Sequence, residues 1–248
     1  NFSWMTVVAA MGQMFYSLSI AMGILITFGS YMKKETSLED STRNVEVFDT
    51  AIAIMAGLMI IPAVFSFSGG DPDTLQAGPA LMFITIPKVF ENMGFGTVVG
   101  ILFFLLVLFA AVTSSIALTE SAVSTFEDEL GWSRRRATVL VGVIMIALGS
   151  LSSLGYGPLA GIKIIGMQFL DFFDFLTNSV MMPIAAMLTS LFVSRIVGMK
   201  RMEEEIMHGE STFRRKKIFI VMIKYLCPVF ALIILISSVA NAFGWIAM

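Results

Sequence analysis

The sequence predicts an all-α membrane protein, and three observations carry that prediction. Its 248 residues are 57% hydrophobic and 14% charged, with a mean hydropathy of +0.87. A soluble domain has about 25% charged residues to cover its surface; this chain has too few, so its solvent must be lipid. Six stretches have few charges and are long enough to cross a hydrocarbon core of about 30 Å as helices. Barrel strands would be about ten residues long and alternate in polarity, which these stretches do not.

The six spans run over 2–32, 47–67, 97–119 (helical to about 129), 137–154, 168–194 and 218–246. Lys and Arg set their orientation. Lys33, Lys34 and Arg43 follow span one, and Arg134, Arg135 and Arg136 follow span three. Arg195, Lys200, Arg201, Arg214, Arg215, Lys216, Lys217 and Lys224 follow span five. The other side holds only Lys88 and Lys163, two of the sixteen basic residues. Segments 33–46, 127–136 and 195–217 are therefore predicted to be cytoplasmic in a multi-pass plasma-membrane protein. The run Glu203–Glu205 reads as a solvated helix face.

Composition also excludes several chemistries. A formal net charge of −2 gives no electrostatic case for nucleic acid. The single Cys227 cannot form an internal disulfide or a multi-thiolate metal site, and the single His208 lies outside every span. An intramembrane enzyme would need a nucleophile with its base, or a metal centre, and the spans supply neither pattern. A channel would show a ring of like charge lining a pore, and none is visible. The chain opens on Asn1 and reads as part of a longer polypeptide.

Span one is too long for a simple crossing. Its roughly 31 uncharged residues would make a straight helix of about 46 Å. Its centre, Gln13-Met14-Phe15-Tyr16-Ser17-Leu18-Ser19-Ile20-Ala21-Met22-Gly23, mixes hydroxyl residues with glycine. Two readings stand: a helix broken where it lines a polar cavity, or a tilted continuous helix whose serines bond their own backbone. After span two, the connection 68–96 opens on Gly69-Gly70-Asp71-Pro72-Asp73, a turn signal. It continues with Leu81, Ile84, Pro87, Val89 and Phe90 at near-helical spacing, which suits an extracellular lid or an interfacial helix lying on lipid.

Span three puts Ala110, Thr113, Ser114 and Leu118 on one helix face. Hydroxyls beside carbonyls suit a hard cation such as sodium; they also serve as packing contacts between membrane helices. Acidic residues in or beside spans must be paired or face water. Asp49 sits near the start of span two, Glu120 in the inner half of span three, and Asp171 and Asp174 near the outer end of span five. Asp49, Asp128 and Asp174 also fit hydrated helix-terminal carboxylates; Glu120, about two turns inside the Glu127–Glu129 cluster, does not.

These strings resemble a known family. Gly12–Ser19, followed by Gly23 and Gly29-Ser30-Tyr31, is similar to the sixth helix of neurotransmitter:sodium symporters. Ala110–Ala117 and Phe126–Leu130 resemble its eighth helix and the loop beyond. Asp49-Thr50, with Gly57 and Pro62, resembles helix seven of its bacterial members. The likeness runs along essentially the whole chain. This family is itself the standing example of ion and substrate sites at half-helix ends.

The resemblance implies that the spans are helices six to eleven of a 5+5 inverted-repeat fold with a discontinuous first helix. The second repeat would fill about 1–195, with a further helix at about 218–246. The chain would form a single transmembrane domain, with helices one to five of the same protein needed for function. By the same resemblance, Ser17 and Asp49 join one sodium site, and Ala110 (through its carbonyl), Thr113 and Ser114 form half of a second. Tyr16, Ser19, Met22, Ser114 and Leu118 line the substrate pocket. Gln13 and Asp174 belong to the outer gate, Tyr31 and Asp128 to the inner gate, with Glu120 close to it. The implied activity is sodium-coupled symport of a hydrophobic or aromatic amino acid, with no organic cofactor. The alternatives are a non-transporting membrane component or channel, or a fragment inert without helices one to five. Asp49 stands where chloride-dependent members carry Asn, so its charge would replace chloride. The resemblance also sets Asp49 deeper than hydropathy does.

Overall fold

The computed structural model describes residues 4–67, 78–209 and 212–245, and every helix or strand element among them is a helix. Span one is two helices, α1 (Trp4–Ser17) and α2 (Ile24–Ser30), separated by residues 18–23. The continuous tilted helix is thereby overturned. α3 is Leu38–Phe67, and α4 is Ile86–Glu91, entered through a π-helical turn at Leu81–Thr85. α5 (Gly96–Leu130) and α6 (Arg134–Leu154) follow. α7 runs over Phe169–Val197, α8 over Met199–Ile206 and α9 over Lys216–Ala242. α3, α5, α6, α7 and α9 are each long and apolar enough to cross a membrane. The broken first span, expected as a sixth crossing, is not among these five.

The expected start of span two is corrected. Hydropathy places it at residue 47, whereas α3 begins at Leu38. Charged residues hide this first part from a hydropathy reading, yet its start is well formed. Ser37 Oγ accepts the Asp40 N–H at 3.0 Å, and Glu39 and Asp40 occupy the first turn. Both features offset the unpaired amides and positive dipole of a helix N-terminus. Asp49 therefore lies about three turns inside a continuous helix.

The chain packs as two units, Asn1–Arg43 with Ala117–Met248, and Asn44–Ile116. In the second, α4 folds back along the start of α5. Phe83 stacks on Phe104 with centroids 6.0 Å apart, and Phe90 meets Phe103 edge-on at 5.4 Å. Ile86 and Val89 are buried while Ile84 stays exposed. Protein thus takes part of the apolar face for which the sequence allowed either a protein or a lipid surface. Gly96 permits the fold-back, because a Cβ there would stand 1.6 Å from the Phe90 carbonyl oxygen. The turn signal at 69–73 lies outside the described residues.

In the first unit, α7 packs on α9, and Ser190, 3% exposed, donates its hydroxyl to the Ile223 carbonyl at 2.7 Å. Ile223 lies in a π-helical turn, Met222–Leu226, where the regular carbonyl ladder is disturbed and a side-chain donor is needed. α1 lies on α9, with Gly12 close to Ile234. The lower part of α5 packs on α6 through Val123, Ala137 and Val141, and Phe126 stacks on Trp132. The most apolar window of α5 is 0% buried, as expected of a helix covered by lipid or by further protein.

Gly23 marks a close approach of α2 to α5, with φ +80° and a Cβ position 2.6 Å from Ser121 Oγ. Gly23→Ala should lower the midpoint of thermal inactivation, with about 1–2 kcal/mol from the left-handed backbone alone. Adding Ser121→Ala should restore only the steric part. A Gly23→Ala protein as stable as the parent would contradict the packing described.

Candidate functional site

The break between α1 and α2 is held in sparsely populated backbone. Ser19 and Ala21 have φ of 55° and 64°, and Gly23 has 80°. Left-handed residues cost about 1–2 kcal/mol each outside glycine. Small side chains keep that cost low, and surrounding structure must impose it. The end of α1 is closed by tight turns: Leu18 N–H donates to Met14 O, Ser19 N–H to Tyr16 O and Ile20 N–H to Phe15 O. α2 restarts with Thr27 N–H on Gly23 O at 2.9 Å.

α5 anchors the restart. Thr27 is buried and donates its hydroxyl to Ser121 Oγ at 3.4 Å, with Ser124 Oγ also at 3.4 Å. Ser30 Oγ donates back to the Thr27 carbonyl at 2.7 Å. Hydroxyls thus satisfy polar groups on two membrane helices without bringing in charge.

The expected site residues fall around this break and along α3 and α5. Gln13, Tyr16 and Ser17 share a face in the last turns of α1 and are exposed. Ser19 and Met22 lie in the break and are half-buried. Those five belong to the first unit, whereas Asp49, Ala110, Thr113 and Ser114 belong to the second. Thr113 Oγ1 lies 2.9 Å from the Ala110 carbonyl oxygen and 3.1 Å from that of Phe109. Three oxygens converge there on one exposed stretch of helix, the donor type a hard cation prefers. Leu118 is exposed one turn beyond Ser114.

A second cluster closes the lysine- and arginine-rich end. Tyr31, at the end of α2, donates its phenol to Glu120 Oε1 at 2.7 Å. Arg134, the first residue of α6, binds Glu120 Oε2 and also reaches Glu127 Oε2 at 3.2 Å. One carboxylate thereby ties α2, α5 and α6 together. The resemblance sets Tyr31 and Asp128 in the inner gate with Glu120 close by; Tyr31 bonds Glu120, and Asp128 is exposed. By sequence Arg134 reads only as a loop charge. Its signal was the need for a partner to Glu120 and an Arg run one short turn beyond α5. At the other end, Asp174 accepts the side-chain amide of Asn178 on its own helix, where α7 passes into a π-helical turn.

Comparison with known proteins supplies the family. The sequence profile of the sodium:neurotransmitter symporter family matches residues 3–244. A sodium-dependent transporter of Haemophilus influenzae is 33% identical over 229 residues, 92% of this chain and 49% of that protein. The sodium-dependent transporter YhdH of Bacillus subtilis is 32% identical over 206 residues, 83% of this chain and 45% of that protein. MhsT, solved in complex with L-phenylalanine, is 36% identical with a TM-score of 0.82, over 93% of this chain and 51% of that one. The chain thus spans about half the length of these relatives. Membrane-spanning helices, a half-helix break and a profile match along nearly its whole length place this chain in the sodium:neurotransmitter symporter family.

Proposed function

We propose that this chain supplies half of the binding centre of a sodium-coupled symporter. Its substrate is an amino acid, hydrophobic or aromatic, carried across the plasma membrane without chloride. The observation that carries the reading is the interruption of the first span at 18–23. A backbone break at membrane depth leaves carbonyls and amides that only protein, water, ions or substrate can satisfy.

On this reading Ser17 and Asp49 contribute to one sodium site. The Ala110 carbonyl, Thr113 and Ser114 contribute to a second, and the 2.9 Å spacing of the Thr113 hydroxyl and Ala110 oxygens lets one cation touch both. Tyr16, Ser19, Met22, Ser114 and Leu118 line the substrate pocket. Gln13 and Asp174 gate it from outside, and Tyr31, Asp128 and Glu120 from inside. The apolar side chains of Met22 and Leu118, and the L-phenylalanine bound to MhsT, support an aromatic or hydrophobic substrate. The greater length of the relatives supports a second half of the fold, helices one to five, in the same polypeptide.

Coupling needs only that sodium and substrate both bind one conformer more tightly than the other. Oxygen ligands on α1, α3 and α5 let sodium favour the conformer that brings them together. The α4 segment then acts as an outer lid. Asp49 adds a fixed negative charge beside sodium, which removes the need for a chloride ion.

The test is uptake of radiolabelled amino acids into proteoliposomes by the polypeptide that joins this chain to the preceding half. Uptake should follow an inward sodium gradient and persist when chloride is replaced by gluconate. The present chain alone should give none. Asp49→Asn should cut chloride-free uptake at least about ten-fold and recover in part when chloride is added. Thr113→Ala should raise the half-saturating sodium concentration roughly ten-fold, the range for one lost polar ligand. Absence of sodium dependence with every amino acid tried would overturn the reading.

A further inference from the structure

On the lysine- and arginine-rich side, the connection from α2 to α3 is docked on the linker from α8 to α9 by two independent contacts. Glu39, in the first turn of α3, accepts the Arg214 N–H on Oε2 at 3.0 Å and the Arg215 N–H on Oε1 at 3.2 Å. Gly209 lies against the backbone of Thr36 and Ser37: a Cβ there would stand 2.6 Å from the Thr36 carbonyl oxygen. The two contacts border one cleft of about 420 Å³, which Arg43, Asp40 and Thr212 help to line.

Glu39 suits this position electrostatically. It sits at the N-terminus of α3 and binds the amides that lead into α9, so two helix dipoles favour its negative charge. The docked connection is short and tightly turned. Tyr31 N–H bonds Phe28 O, Met32 N–H bonds Gly29 O and Thr36 N–H bonds Lys33 O. Tyr31 stands at one end of this segment and the docked Thr36–Ser37 at the other. The short connection offers a route by which movement of α2 away from Glu120 would reach the Gly209 and Glu39 contacts.

We propose that Glu39 and Gly209 form a clamp that holds the Tyr31–Glu120 gate closed, making Glu39 a positioning residue of the transport cycle. The inference rests on the symporter reading and adds to it a control point outside the ion and substrate sites. Sodium binding and the clamp stabilise the same gate-closed conformer. Weakening one then raises the demand on the other.

The test uses the full polypeptide in detergent, in a Cys227→Ser background with Ser30→Cys beside Tyr31 as a reporter. Maleimide labelling of that cysteine is followed against sodium concentration, with Tyr31→Phe as the gate-opening reference. Glu39→Ala and Gly209→Ala should label about ten-fold faster without sodium and need about ten-fold more sodium for half-suppression. Glu39→Gln keeps one acceptor oxygen and the shape, and should fall between Glu39→Ala and the parent. A clamp with a merely structural role would lower the yield of folded protein but leave the sodium midpoint of the folded fraction unchanged, and that result overturns the proposal. So does a rate within two-fold of the parent in all three variants while Tyr31→Phe shifts. If labelling of the unaltered protein ignores sodium, the symporter reading fails instead. The clamp is then judged on the zero-sodium rates alone, by the same ten-fold and two-fold bounds.

Discussion

A backbone amide or carbonyl left unpaired in hydrocarbon is costly enough that lipid-exposed irregular chain does not survive at membrane depth. The six residues between α1 and α2 break that rule locally, so the rest of the first unit is organised around sheltering them. α5 supplies a flush surface at Gly23 and the hydroxyls of Ser121 and Ser124 for Thr27. α1 is backed by α9, and α2 is tied through Tyr31 to Glu120. The left-handed residues Ser19 and Ala21 lie between these supports, and local turn hydrogen bonds close the end of α1 beside them.

That shelter also explains the residue types. Hydroxyls and glycines, rather than charges, sit where α2 meets the apolar body of α5, because each hydroxyl can close its own hydrogen bonds on a nearby carbonyl. In the first unit a cluster of charge gathers at the lysine- and arginine-rich end. There a single carboxylate, Glu120, gathers a phenol and a guanidinium from two other helices. Making and breaking this cluster is the movement that the proposed inner gate would use.

Much of this was legible in the sequence. Composition and span length fixed an all-α membrane protein, and the residue order Gly12 to Gly23 marked the place where a break could occur. The residues alone could not choose between a broken and a tilted helix, because Ser17 and Ser19 serve either one. Hydropathy misplaced the start of α3, since Glu39, Asp40 and Arg43 look like loop residues although they extend a well-capped helix. The Arg134 partner and the contact of Gly209 with Thr36 were not visible. Both depend on how separate elements pack, which no local pattern encodes.

The central claim is that the break at 18–23 is where ligands bind. It is tested most directly by hydrogen–deuterium exchange of that segment in the full polypeptide. The account predicts fast exchange of the amides at 18–23 without sodium. It predicts strong protection when sodium and a transported amino acid are both present, while the middle of α9 is unchanged. Exchange at 18–23 that ignores both ligands would contradict it.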